Sequence, residues 1–389
     1  MKKVELLAPA GDIERLKISL LYGADAVYIG GSLYSLRANA INFTLDQIEE
    51  ATTFAHNLGK KVYLTLNIIF HSDDFNGVKE YIEEVVKRKI DAFIVSDPLL
   101  INYIAKTYPQ VEVHVSTQNT NTNIESVKFF KELGAKRVVL ARELSLEEIK
   151  KFKDLGIQTE VFIQGAMCSC YSGRCALSSY FTKRDANRGG CSQVCRFLFQ
   201  SSEGDFSIAS KDNNLIRYID KLIEAKVTSL KVEGRMRSLY YLATVMRAYR
   251  KIIDAYYDKT LNEKLIKEEE HVLDMVKNRA TSDHFIKGYI DHNDQYYLTK
   301  RGEDTNQDYV GLVESYEKGK LLFFLKNNLK LDEEVILFGP GKDKYIFKVD
   351  NLKKEDGEVV QVANHPEDKY IIEISIPFKV TKYWMLKRK

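Results

Sequence analysis

A short apolar run followed by an amphipathic stretch recurs along the first two-thirds of this chain, and that recurrence leaves few folds open. Residues 6–10, 26–31, 62–67, 92–97, 111–116, 137–141, 158–163 and 229–233 read as strands. The segments between them carry helix punctuation. Asp12 is placed to cap a helix that ends near Gly23, and Gly59 closes one over residues 44–58. Further helices are expected over 75–87, from Pro98, up to Gly134, over 145–155 with Ser145 and Glu148 as a capping box, near 214–225, and over 239–257. Eight such units in roughly 260 residues predict an α/β chain forming a (β/α)8 TIM-like barrel, in preference to a doubly wound open sheet. Gly30-Gly31 is a lone pair and reads as a turn, not as a phosphate-binding loop.

Beyond about residue 260 the pattern changes. Residues 259–277 are charged and helical in character. Strand-like runs then appear at 296–298, 310–313, 321–325, 335–338, 345–347, 359–362 and 370–374, separated by polar turns. The expected organisation is a barrel over 1–260 with a cysteine-rich segment at 165–200, a helical linker over 261–293, and a small antiparallel β-barrel over 294–389.

All five cysteines of the 389 residues lie between 168 and 195. No run approaches the ~18 apolar residues of a membrane span, and the opening Met1-Lys2-Lys3-Val4-Glu5 has no apolar leader core, so a cytoplasmic chain with no membrane partner is expected. In a reducing compartment such a cluster reads as metal or redox chemistry. One choice of four is Cys168, Cys175, Cys191 and Cys195, spaced C-x6-C-x15-C-x3-C. Four thiolates suit structural zinc or an iron–sulfur cluster, and a single short pair favours the cluster over zinc, which usually takes two close pairs. The segment follows the seventh strand, so the barrel geometry delivers it to the mouth where active sites form.

Net charge is only +3, from 58 basic and 55 acidic residues, but its distribution is uneven. Residues 174–196 carry Arg174, Lys183, Arg184, Arg188 and Arg196 against Asp185. A second group, at 229–251, reads equally well as solvated helix faces, and the sequence closes on Lys387-Arg388-Lys389.

The cysteine segment resembles that of the collagenase-like peptidases, family U-32. So do Leu6-Leu7-Ala8-Pro9-Ala10-Gly11, the run from Tyr22 to Gly31, Asn42-Phe43, Asn67, Ser96-Asp97-Pro98, Ser116-Thr117-Gln118, the run from Leu140 to Ser145, and the run from Lys231 to Ser238. The resemblance implies a [4Fe–4S] cluster on Cys168, Cys175, Cys191 and Cys195, with Cys170 as a spare thiol. It implies hydroxylation of C5 of an RNA pyrimidine, a tRNA wobble uridine or a 23S rRNA cytidine, with prephenate as hydroxyl donor; related members hydroxylate a quinone precursor. Gln164 stands where the family usually has His, and Gln can orient a neighbour but not shuttle a proton.

Prephenate is a small dicarboxylate, so it calls for fixed guanidinium groups. Arg37, Arg142, Arg174, Arg184 and Arg235 follow strand ends or lie in the cysteine segment, with Asn67 and Gln118 as polar partners for the substrate. Arg142, Glu143, Lys231 and Glu233 are the expected catalytic set at the mouth. Tyr34 and Tyr171 are candidate stacking partners for an extruded base. The β module and basic tail would hold the RNA backbone, and a paralogue or second copy is an admissible partner. Two other readings remain open: a peptidase, for which neither an H-E-x-x-H nor a G-x-S-x-G run is present and His71 and His114 stand isolated, and a non-enzymatic cluster-bearing RNA binder.

Overall fold

The computed structural model describes residues 3–36, 42–202, 204–296, 308–341 and 343–389. In chain order its first elements are β1 (Glu5–Pro9), α1 (Ile13–Leu21), β2 (Ala26–Gly30), α2 (Leu45–Asn57), β3 (Lys61–Leu66), α3 (Val78–Lys87), β4 (Ala92–Val95), α4 (Pro98–Thr107), β5 (Glu112–Val115), α5 (Ile124–Glu132), β6 (Arg137–Val139), α6 (Leu146–Lys150) and β7 (Gln158–Ala166). There follow α7 (Leu177–Thr182), the hairpin β8 (Phe199–Ser201) and β9 (Gly204–Phe206), β10 (Asp212–Asn214), α8 (Ile219–Glu224), β11 (Ser229–Val232), α9 (Leu239–Tyr257), α10 (Glu263–Val276) and β12 (Thr281–Ser282). Strands β1 to β7 pair in parallel in sequence order. β11 pairs with both β1 and β7, which closes an eight-stranded barrel.

Most helices start and stop where their caps dictate. Thr44 and Gln47 form a capping box on α2, Asp97 accepts from the first turn of α4, and Ser145 with Glu148 boxes α6. Two boundaries differ from the sequence reading for local reasons. Gly77 sits at φ +85°, so α3 begins at Val78 and residues 72–75 form a separate 3-10 turn. Asn214, read as the start of a helix, instead ends β10, which runs antiparallel to the extended end of β7, and β12 adds in parallel to β10.

The barrel interior is not purely apolar. Arg137 donates to Glu5 at 2.6 Å and to Glu160 at 3.0 Å, and Lys231 donates to Glu160 at 2.8 Å. Tyr63 and Ser229 complete the shell of Glu5 at 2.6 and 2.9 Å, and His114 meets Glu112 at 3.0 Å. Burial alone would raise the carboxyl pKa of Glu160, but Lys231 and Arg137 outweigh it and hold it at about 2.

The C-terminal strands form a second compact unit. Its seven-stranded antiparallel sheet is a half-barrel around Val313, Leu321, Phe323, Leu337, Leu386 and Trp384. The expected strands at 310–313, 321–325, 335–338, 345–347 and 370–374 lie in it, while 297–298 lie outside the described residues. The basic residues 387–389 belong to the sheet and its margin. Met385–Arg388 is an interior strand of the sheet, and Arg388 and Lys389 pair with Glu333 and Glu334, each at 3.0 Å. Met385 and Leu386 are both fully buried, and pairing with a strand on each side holds the cations that follow them in the sheet. Among the described residues no helix is long and apolar enough to cross a membrane.

Glu160→Gln leaves Lys231 and one face of Arg137 uncompensated, and should cost about 3–5 kcal/mol in urea unfolding. Adding Lys231→Met should recover part of that loss, since the pair acts as a unit. The pH sign follows from the lowered carboxyl. Its contribution is complete above the ordinary value of 4.5 and is lost as pH falls from there towards about 2. Thermal melts between those limits should drop more steeply for the native chain than for Glu160→Gln.

Candidate active site at the barrel mouth

The C-terminal ends of the barrel strands and the cysteine segment enclose a cavity of about 350 Å³. Its floor is made by Tyr28, Thr65, Ile94, Val139, Phe162 and Lys231, and its polar wall by Ser35, Asn67, Ser116, Gln118, Arg142, Glu233 and Arg235. All five cysteines line it. None is in a disulfide, and burial followed by the neighbouring Cys175, Cys168 and Cys195 pushes the Cys170 thiol up to about 12. Burial also raises the Cys195 thiol.

The segment is stapled across the mouth by contacts from several strand-end loops. Arg188 pairs with both carboxylate oxygens of Asp74 at 2.6 and 3.1 Å, and Asn187 accepts from the Ile69 backbone. Thr120 donates to the Ser172 carbonyl at 2.7 Å and accepts from Arg174 at 3.0 Å. Glu143 accepts from the Ser172 backbone at 2.9 Å and from its hydroxyl at 3.0 Å. Gly173, at φ +74°, lies so close to the Gln118 carbonyl that an added Cβ would sit 2.0 Å from that oxygen.

The expected site residues fall into four groups. Arg142, Lys231, Glu233, Arg235, Asn67 and Gln118 line the cavity together with the cysteines. Glu143 and Arg174 act on the cysteine segment instead, through Ser172 and Thr120, and Arg184 is on the exposed surface. Arg37 lies outside the described residues. Arg142 rests over the Phe162 ring at 4.3 Å and donates towards Cys168 Sγ at 3.6 Å. Its Nε and the Gln118 Oε1 are buried with no hydrogen-bond partner among the described residues. Lys231 sits over Tyr28 at 4.4 Å, tied below to Glu160. Asn67 bridges Leu36 N and Ser116 Oγ. Tyr34 is taken up by Phe70, ring centroids 5.6 Å apart, whereas Tyr171 is 57% exposed at the cavity edge.

Sequence reasoning missed Ser35, Ser116 and the role of Gly30. Gly30 is not merely a turn residue: an added Cβ would lie 1.8 Å from Arg235 Nη1, so the missing side chain makes room for that guanidinium. Arg235 Nη2 donates to Ser35 Oγ at 3.3 Å.

The donor set fits an iron–sulfur group. Soft thiols, all reduced, face one cavity, and a cation reaches the first of them. Among the described residues no three His, Cys, Asp or Glu side chains are gathered to hold a single ion.

Residues 11–296 match Peptidase family U32, and residues 305–387 match the Peptidase family U32 C-terminal domain. The chain belongs to peptidase family U32. This U32 protein is 42% identical over 382 residues to tRNA hydroxylation protein P1 of Bacillus subtilis (strain 168), covering 94% of this chain and 90% of that protein. It is 30% identical over 435 residues to tRNA hydroxylation protein P of Escherichia coli (strain K12), covering 97% and 94%. Against the 23S rRNA 5-hydroxycytidine C2501 synthase of the same organism it is 37% identical over 266 residues, 66% of this chain and 40% of that protein.

In this U32 chain Gln164 is buried and accepts from Tyr249 Oη on α9 at 2.9 Å. The side chain is thereby held against the helix layer, and orientation of a neighbour is the role its geometry allows. Two outcomes test the construction of the U32 site. Glu143→Ala leaves the Ser172 amide and hydroxyl without their acceptor and should cost about 1–3 kcal/mol in urea unfolding. Gly30→Ala should displace Arg235 and cost about 1–3 kcal/mol in unfolding from overpacking.

Proposed function

We propose that this protein hydroxylates C5 of a pyrimidine in RNA, with a [4Fe–4S] cluster on Cys168, Cys175, Cys191 and Cys195 and prephenate as the hydroxyl donor. The observation that carries the reading is the meeting, in one cavity, of the cysteine segment with two guanidinium groups, Arg142 and Arg235, and a lysine floor. Relatives matched over nearly their whole length bear tRNA hydroxylation names, which supports RNA as substrate.

Each residue then has a stated task. Arg142 and Arg235 bind the two carboxylates of the donor, for which planar guanidinium groups are suited. The unpartnered Gln118 Oε1 and Arg142 Nε offer one acceptor and one donor to the bound molecules. Lys231, fixed on Glu160 under the cavity, supplies a positive floor that favours a developing anion. Glu233, in the polar wall, serves as a proton acceptor, and Glu143 is a positioning residue that acts through Ser172. In the overall balance the base exchanges C5–H for C5–OH, while the donor exchanges C–OH for C–H and takes up the two electrons the base loses. The cluster, when bound, supplies one-electron redox capacity to that exchange.

The family name favours a second reading, peptide hydrolysis. Against it, no histidine lines the cavity among the described residues, and His114 is buried below it on Glu112. Mass spectrometry of tRNA and rRNA from cells with and without the gene tests both. Loss of one oxygen on one pyrimidine, with the same loss on Cys191→Ala, supports hydroxylation. Unchanged RNA, with peptide cleavage that survives Cys191→Ala, supports the peptidase. With hydroxylation established, Arg235→Lys should raise the prephenate concentration needed roughly tenfold while iron content stays unchanged.

A further inference from the structure

We infer that α7 and the turn that follows Cys195 form a stacking platform for single-stranded RNA at the edge of the cavity, with Tyr180 and Phe181 as the base-contacting rings. The inference rests on the RNA reading above and names where the polymer, as distinct from the reacting base, is held.

Six aromatic side chains are strongly exposed among the described residues, and four of them, Tyr171, Tyr180, Phe181 and Phe197, fall between 171 and 197. Tyr180 is 87% exposed and Phe181 59%. Burying such rings against the protein would be favourable, so a helix that turns two of them outwards leaves a surface suited to a ligand. The helix is not free to turn over. Leu177 and Ser178 line the cavity from the same short helix, Ser178 Oγ accepts from the Ser192 amide at 3.1 Å, and Thr182 Oγ1 meets Ser192 Oγ at 2.9 Å. Phe181 packs edge-on against Phe199 at 5.8 Å, which fixes its plane. Phe197 and Leu198 follow the cavity-lining Val194 and Cys195 after one residue, Arg196, so the apolar surface borders the opening.

The charge around these rings selects the ligand. Lys183 and Arg184 follow α7 on the exposed surface, and neither side chain is in an ion pair among the described residues. The adjacent acid, Asp185, is also exposed, but its carboxylate caps the following turn, accepting from the Asn187 amide at 2.8 Å. Aromatic rings interleaved with unpaired cations match an alternation of bases and phosphates. A protein-docking face would be expected to exclude lysine from its centre. Stacking is tolerant of sequence, so the platform would hold a loop while the cavity selects the base.

The test uses the full-length, anaerobically purified protein with fluorescein-labelled oligouridine and with bulk tRNA, read by anisotropy over a salt series. Tyr180→Ala with Phe181→Ala should weaken oligouridine binding roughly tenfold or more, and Tyr180→Trp should retain it. Lys183→Ala with Arg184→Ala should lower the slope of log affinity against log salt by about 1.4, the share of two phosphate contacts on a single strand. Iron content should match the native protein throughout. Binding of both RNAs by the native chain and equally by all variants would overturn the platform while leaving RNA hydroxylation standing. A change in oligomeric state with unaltered RNA affinity would overturn it in favour of a protein contact. Failure of the native chain to bind either RNA would remove the platform and the RNA reading together.

Discussion

A chain of alternating charges along the barrel axis sets the terms for everything above it. Glu5 holds Arg137, Arg137 holds Glu160, and Glu160 holds Lys231, whose ammonium forms part of the cavity floor. Each ion would be costly in an apolar interior if left alone, and each is offset by the next. The strands that carry them, β1, β6, β7 and β11, are neighbours around the closing seam of the barrel. The electrostatics of the mouth and the closure of the fold are therefore one problem, solved by the same four residues.

On that base the cysteine segment is a cover held at its margins. Salt bridges and side-chain caps tie it to the loops after β3, β5 and β6, and no regular strand pairing is needed between Met167 and Val194. Such a segment can bring several sulfurs to one cavity because its own backbone is not committed to a ladder. Its order depends instead on individual polar contacts, among them Glu143–Ser172 and Arg188–Asp74.

The barrel was legible in the sequence because strands and caps repeat locally. All eight barrel strands lie where apolar runs and turn residues put them, and α9 follows its apolar periodicity over Leu239–Tyr257. The cysteine cluster was legible for a similar reason, being dense in sequence as well as in space. What escaped was long-range. Nothing local marks Gly30 as the gap filled by Arg235, two hundred residues later, or Glu160 as the partner of both Arg137 and Lys231. The strand Met385–Arg388 escaped because its cations read as a tail, while its partners on both sides lie far upstream. Nothing local says what Gln164 does, because its partner Tyr249 lies on a distant helix.

The position of Met385–Arg388 inside its sheet bears on how the molecule is made. It lies between Tyr309–Glu317 and Glu334–Phe338, so those two earlier strands have no direct pairing to hold them together until it arrives. During synthesis the barrel has all eight of its staves once β11 has left the ribosome. The smaller unit must wait for its keystone, exposing unpaired edges in the interval.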